Sequence, residues 1–118
     1  MDRELRVVLS ARVFSDQKCF GPGVSQLLKR VDELHSLRAA ALSMSMAYSK
    51  AWRIVRTAES VFGCKMLATS TGGKNGGGAS LTPEAVSLLA AYDGYCAEVG
   101  GFAAQRFSAA FGAFEKQS

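Results

Sequence analysis

The chain has 118 residues, 48% apolar and 20% charged, with a net charge of +4 and an isoelectric point near 9.2. That length supports one domain around a single modest core, and its apolar runs fall far short of the ~20 residues that a membrane span needs. No basic-then-apolar leader opens the chain, and Cys19, Cys64 and Cys96 form no CxxC pair, so zinc, a disulfide framework and a membrane are not expected and reduced thiols in a cytoplasm are.

The positive charge is concentrated in the middle. Residues 1–35 carry six Lys or Arg against five Asp or Glu. Residues 36–78 carry Arg38, Lys50, Arg53, Arg56, Lys65 and Lys74 against Glu59 alone, and residues 79–118 are net negative. A basic middle third is the footprint expected of a surface that faces phosphates.

Taken in order, residues 5–14 are rich in branched and aromatic side chains with partial alternation, which predicts a strand. Residues 19–23, Cys-Phe-Gly-Pro-Gly, predict a turn. From Pro22, the spacing of Val24, Leu27, Leu28, Val31 and Leu34 predicts an amphipathic helix to about His35. Ser36 is placed to cap a short helix of small residues over 37–42. A break of about four residues follows, whose Met44 and Met46 are expected to pack into the core. A second helix then runs over about 47–62 and is stopped by Gly63.

In that helix Ala47, Ala51, Ile54, Val55, Ala58, Val61 and Phe62 share one face, flanked by Tyr48 and Trp52. Ser49, Lys50, Arg53, Arg56, Thr57 and Ser60 fall on the opposite arc, with Glu59 at its edge. A charged face usually means only a solvated helix. Here it follows a short helix and a tight turn, which is the helix-turn-helix pattern.

After a short strand predicted at 65–70 comes Thr71-Gly-Gly-Lys-Asn-Gly-Gly-Gly-Ala79. Glycine allows close backbone approach to something outside the protein, and Lys74 supplies charge. A phosphate cradle and a wing on nucleic acid are the two readings. The cradle fails on spacing: a P-loop needs GxxxxGK followed by Ser or Thr, whereas Lys74 is followed by Asn75 and the leading glycine position is Ala68. The βαβ alternation of a dinucleotide fold is missing as well.

Thr82 and Pro83 start the last helix as N-cap and first helical residue. It continues through Leu88, Leu89, Tyr92, Cys96 and Val99, is expected to weaken or bend at Gly100-Gly101, and resumes with Phe102, Phe107, Phe111 and Phe114, the last three at i, i+4, i+7. Burying three phenylalanines is worth roughly 1.5–3 kcal/mol each, so they are expected to be covered, by a second subunit in preference to the first helix of the same chain. Expected dimer contacts are Leu89, Tyr92, Cys96, Val99, Phe107, Phe111 and Phe114. No catalytic residue, metal ligand or cofactor is expected, since the one histidine, His35, sits beside Glu33 near a helix end with no nucleophile in pattern.

Ala47-Tyr-Ser-Lys-Ala-Trp52, the glycine segment and Leu81-Thr-Pro83 closely resemble the N-terminal DNA-binding domain of the ModE-type molybdate-responsive regulators. More distantly they resemble the LysR-type winged helix. The resemblance covers about residues 5–99. It implies a mainly α fold with a small β-wing, a winged helix-turn-helix over 1–99, and a dimerisation helix continuing through 100–118. It also implies a homodimer on double-stranded DNA. The contacting residues are then Tyr48, Ser49, Lys50, Arg53, Arg56 and Thr57 on the recognition helix, and Thr71, Gly72, Gly73, Lys74, Asn75 and Gly76 in the wing. In the family a separate C-terminal domain holds the oxyanion, so no molybdate site is expected in this chain. Ahead of the wing, Ala68-Thr69-Ser70 stands where the family commonly has a Glu-Arg pair. The competing reading is a degenerate winged helix that serves as a protein-interaction or dimerisation module without DNA.

Overall fold

A computed structural model describes residues 4–73 and 76–115. It is mainly helical, with two small antiparallel sheets and one long C-terminal helix. Strands β1 (Val13–Phe14) and β2 (Lys18–Phe20) form a short hairpin. Helices α1 (Pro22–Leu34), α2 (Leu37–Ser43) and α3 (Tyr48–Phe62) follow. A second hairpin pairs β3 (Leu67–Gly73) with β4 (Gly76–Leu81). Helix α4 (Pro83–Phe111) leads into a single 3-10 turn, Gly112–Phe114.

The core is built from the apolar spacings of the first three helices. Phe20, Leu27, Leu28, Val31, Val55 and Met66 are fully buried. Ala40 and Ala41 of α2 and Ala51 and Ala58 of α3 are buried too, and their small side chains let three helices approach closely. Met44 and Met46 pack against this cluster from the turn between α2 and α3, as expected. The ring of Phe20 meets Tyr92 at 4.9 Å and Phe62 at 6.3 Å, tying β2 to α3 and α4.

Local signals account for the helix boundaries. The Ser36 hydroxyl accepts from the Ala39 amide at 3.0 Å, capping α2. Ala47 precedes α3 without a side-chain cap. Gly63 ends α3 at φ 71°, in the left-handed region, and its N–H donates to Glu59 O. Among the described residues two non-glycines also adopt positive φ: His35 (56°) closes α1, and Ser45 (53°) makes the turn between α2 and α3.

The base of the β3–β4 hairpin is tied to three helices. The Thr82 hydroxyl donates to Lys65 O at 2.6 Å and accepts from the Ala85 amide at 3.1 Å, so one oxygen both caps α4 and anchors the chain entering β3. The Thr82 amide donates to Met66 O, and the Met66 amide donates to Glu59 Oε2 of α3 at 2.9 Å. On the other strand, the Ala79 amide donates to the carbonyl of His35.

Two expectations are corrected. Residues 5–14 do not form one strand, because only Val13 and Phe14 find a partner. The remainder lies along α4, where the Tyr92 hydroxyl donates to Ala11 O at 2.8 Å and the Leu5 amide donates to Glu115 Oε2 at 3.1 Å. Branched residues favour an extended chain, but a ladder needs a second backbone, and a helix offers none. Burial pushes the Tyr92 phenol above its ordinary pKa, with Cys96 adding to the shift. The second correction concerns Gly100-Gly101, across which α4 runs as one helix of 29 residues. Two glycines cost about 1 kcal/mol each relative to alanine, too little to break so long a hydrogen-bonded run. Phe114 falls outside the helix, in the 3-10 turn.

Backbone handedness and the Glu59 anchor generate two predictions. Replacing Gly63 by Ala puts a Cβ in open space but in the left-handed region, so Gly63→Ala should cost about 1 kcal/mol in urea denaturation. Ser45→Gly, relieving the same kind of strain, should gain about 0.5–1 kcal/mol. Glu59→Ala should cost about 1.5–3 kcal/mol, since a charged acceptor is lost and the amide of buried Met66 is left without a partner. Faster hydrogen exchange at the Met66 amide than in the parent chain is the local signature of that loss.

Candidate nucleic-acid interface

Helix α3 divides by periodicity into an inner and an outer face. Ala51, Val55 and Ala58 are buried, and Trp52 and Ile54 are half-buried at the margin. Ser49, Lys50, Arg53, Arg56 and Ser60 are exposed on the other side, and Thr57 is intermediate. The sequence arc therefore faces outward as one surface.

The cations of this surface carry net charge that nothing in the described chain cancels. Among the described residues Arg38, Lys50, Arg53 and Arg56 enter no ion pair; Lys29 of α1 does, with Asp93 of α4 at 3.0 Å. Glu59, the one carboxylate of α3, is turned to Met66 rather than to its arginine neighbours. Arg53 sits between two shallow depressions. One, of about 620 Å³, is bordered by Gln17, Tyr48, Ser49, Trp52 and Arg56. The other, of about 340 Å³, brings Lys18 beside Lys50, Arg53 and Met46. Both carry cationic side chains over a mainly apolar lining, and the first is the more open of the two.

Aromatic rings hold two of the arginines in place. The Arg56 guanidinium lies 5.2 Å from the Trp52 ring, and Arg38 of α2 lies 4.1 Å from the Tyr48 ring. At exposed sites such contacts are worth roughly 0.5–1 kcal/mol each. Spacing makes the first pair legible, because Trp52 and Arg56 are four residues apart on one helix. Arg38, Lys18 and Gln17 had no such signal. They reach this surface only because the hairpin β1–β2 and helix α2 are folded against α3.

The glycine segment is placed as a hairpin whose second strand packs against α1 and α4. Leu67 pairs with Leu81, Ala68 with Ser80, Thr69 with Ala79, Ser70 with Gly78 and Gly73 with Gly76. Thr71, Gly72, Gly73 and Gly76 thus have strand backbone, while Lys74 and Asn75 lie outside the described residues. Leu67 is buried and Ala79 and Leu81 pack on the core, so the hairpin is seated by its base.

The residues expected to meet a second subunit separate into two groups. Leu89 is buried in the core of its own chain, and Tyr92 is engaged by Phe20 and Ala11, so neither presents a free face. Cys96 and Val99 border the cleft against residues 7–9. Farther out, Phe107 stacks on Phe111 at 4.8 Å and Phe111 meets Phe114 at 6.2 Å. Phe111 and Phe114 stay exposed, and so does Phe102, which the spacing argument passed over. Among the described residues there is no group of three or more His, Cys, Asp or Glu that could hold a metal, and no helix long and apolar enough to cross a membrane.

No family model matches the chain. It is similar to three characterised proteins. It is 36% identical over 77 residues to the molybdenum transport protein ModE of Herbaspirillum seropedicae, covering 65% of this chain and 27% of that protein. It is 34% identical over 89 residues to the transcriptional regulator ModE of Haemophilus influenzae, covering 75% and 33%. With the molybdenum-pterin-binding protein MopB of Rhodobacter capsulatus it shares 36% identity over 66 residues, covering 56% and 24%. The chain thus spans a quarter to a third of the length of these relatives. Across that matched stretch, it belongs to the family of ModE-type regulators.

Proposed function

We propose that this chain is a winged helix-turn-helix that binds double-stranded DNA as a homodimer, the DNA-binding part of a molybdenum-related transcriptional regulator. The observation that carries the reading is the outer face of α3, where Lys50, Arg53 and Arg56 are exposed and free of ion pairs among the described residues. Charges left unpaired on a folded surface are available for phosphates, whose neutralisation releases counterions. Helices α2 and α3 with the Ser45 turn act as the helix-turn-helix, and α3 is the recognition helix in the major groove. Hairpin β3–β4 is the wing, with its glycine-rich tip, including Lys74, on the sugar-phosphate backbone. The kinship with the Haemophilus protein named a transcriptional regulator supports the same reading.

Residues 1–99 form the DNA-binding unit in this proposal, and the rest of α4 joins two copies. At ~1.5 Å per residue a 29-residue helix is about 43 Å long, and it packs on the core through its first three turns, to Tyr92. The apolar residues that stay exposed on its outer part and on the 3-10 turn after it, Val99, Phe102, Phe111 and Phe114, are the contacts left to a second copy. In this arrangement Leu89 and Tyr92 support the helix from within.

Three measurements test the proposal. The logarithm of the duplex-DNA association constant should fall linearly with log salt, with a slope of about 0.9 per neutralised phosphate. No binding at low salt would leave the protein-interaction reading instead. Arg53→Ala should relax sequence preference, by about 1–3 kcal/mol at one base position, and a uniform loss on specific and random duplexes would deny it a base contact. In sedimentation, Phe102→Asp combined with Phe111→Asp should convert dimers to monomers, whereas an unchanged mass would place the interface elsewhere.

A further inference from the structure

Four groups form one row across the outer surface of α2 and α3. The Arg38 guanidinium lies 4.1 Å from the Tyr48 ring, Tyr48 meets Trp52 edge to face at 6.3 Å, and Arg56 lies 5.2 Å from the Trp52 ring. Both arginines are exposed, and among the described residues neither has a carboxylate partner. A ring holds a guanidinium through its face and leaves the N–H donors at the edge unused. A carboxylate would have consumed those same donors. An arginine held this way keeps its full hydrogen-bonding capacity for an anion and loses less rotamer freedom on meeting one.

Helix stability does not account for Arg38. It sits in the first turn of α2, where the helix dipole is positive and a cation is unfavourable. The contact that places it is with Tyr48, on the next helix. We propose, on the premise that this face binds duplex DNA, that Arg38 is a further phosphate contact and Tyr48 its positioning residue, with Trp52 doing the same for Arg56. Tyr48 then acts through Arg38, its ring face being engaged by the guanidinium and not by a base. The arrangement depends on the left-handed turn at Ser45, which brings the start of α2 over the start of α3.

The test uses the full chain and a random-sequence duplex, read by fluorescence anisotropy across a salt series. Arg38→Ala should weaken binding and reduce the slope of log K against log salt by about 0.9 per bound copy. Tyr48→Leu, which keeps every charge, should weaken binding by about two- to fivefold, and Tyr48→Phe, which keeps the ring, should recover most of that loss. In the Arg38→Ala background Tyr48→Leu should have no further effect, because the pair acts as a unit. In the free protein, the Arg38 side-chain protons should show an upfield ring-current shift in the parent and in Tyr48→Phe that disappears in Tyr48→Leu. If the parent binds with its full salt slope and Arg38→Ala leaves that slope unchanged, the inference is overturned while the DNA reading stands. Additive losses from Arg38→Ala and Tyr48→Leu overturn the positioning role. If the parent chain does not bind duplex DNA at low salt, the DNA reading is overturned and this inference falls with it.

Discussion

A single hydroxyl sets the geometry of this domain. Thr82 Oγ1 caps α4 through the Ala85 amide and at the same time donates to Lys65 O, so the end of one hairpin strand and the approach to the other are pinned to the same helix start. Next to it, Met66 is fully buried and gives its amide to Glu59 of α3. The hairpin therefore leaves the body in a direction fixed by α3 and α4 together. Without that anchor a glycine-rich segment would have no reason to hold a direction, since glycine loses the most backbone entropy on ordering. The contact between the Ala79 amide and the His35 carbonyl adds a third point, on α1.

The same anchor shapes the electrostatics. Glu59 is the carboxylate closest in sequence to Arg53 and Arg56, and by turning to the Met66 amide it leaves them uncompensated. Folding the hairpin and exposing the positive face of α3 are in that sense one event. The arginines are steadied by aromatic rings instead, an arrangement that fixes position without neutralising charge. A surface built this way is suited to a polyanion and poorly suited to a small neutral ligand.

Helix α4 works on a different scale from the rest. The first three turns bury Ala85 and Leu89 and complete the core, and the remainder extends a molecule whose longest dimension is 62 Å. Residues 5–12 lie along part of it, held by Tyr92 and Glu115 at two separated points. This strap covers the middle of one side of the helix and leaves Phe102, Phe111 and Phe114 outside. The apolar surface left exposed is on the outer part of the helix, beside the point where the Leu5 amide reaches Glu115.

The helices, their order and most of their boundaries could be read from residue spacing and caps, because those signals are local. The apolar periods of α1 and α3, Ser36, Gly63 and Thr82-Pro83 each act within a turn or two of their own position. The outward arc of Ser49, Lys50, Arg53 and Arg56 was legible for the same reason. The strand expected over 5–14 was not there, since strand formation needs a partner backbone that no local pattern supplies. Nor could spacing show that Leu89 and Tyr92 belong to the core, that Glu59 serves the hairpin, or that Arg38 rests on Tyr48. Each of these is a contact between segments far apart in sequence, decided by how the helices cross. Which faces of the helices are apolar and which are charged follows from residue spacing alone. Which charges stay free depends on what each carboxylate and ring meets once the chain has closed on itself, and that is a matter of long-range contact.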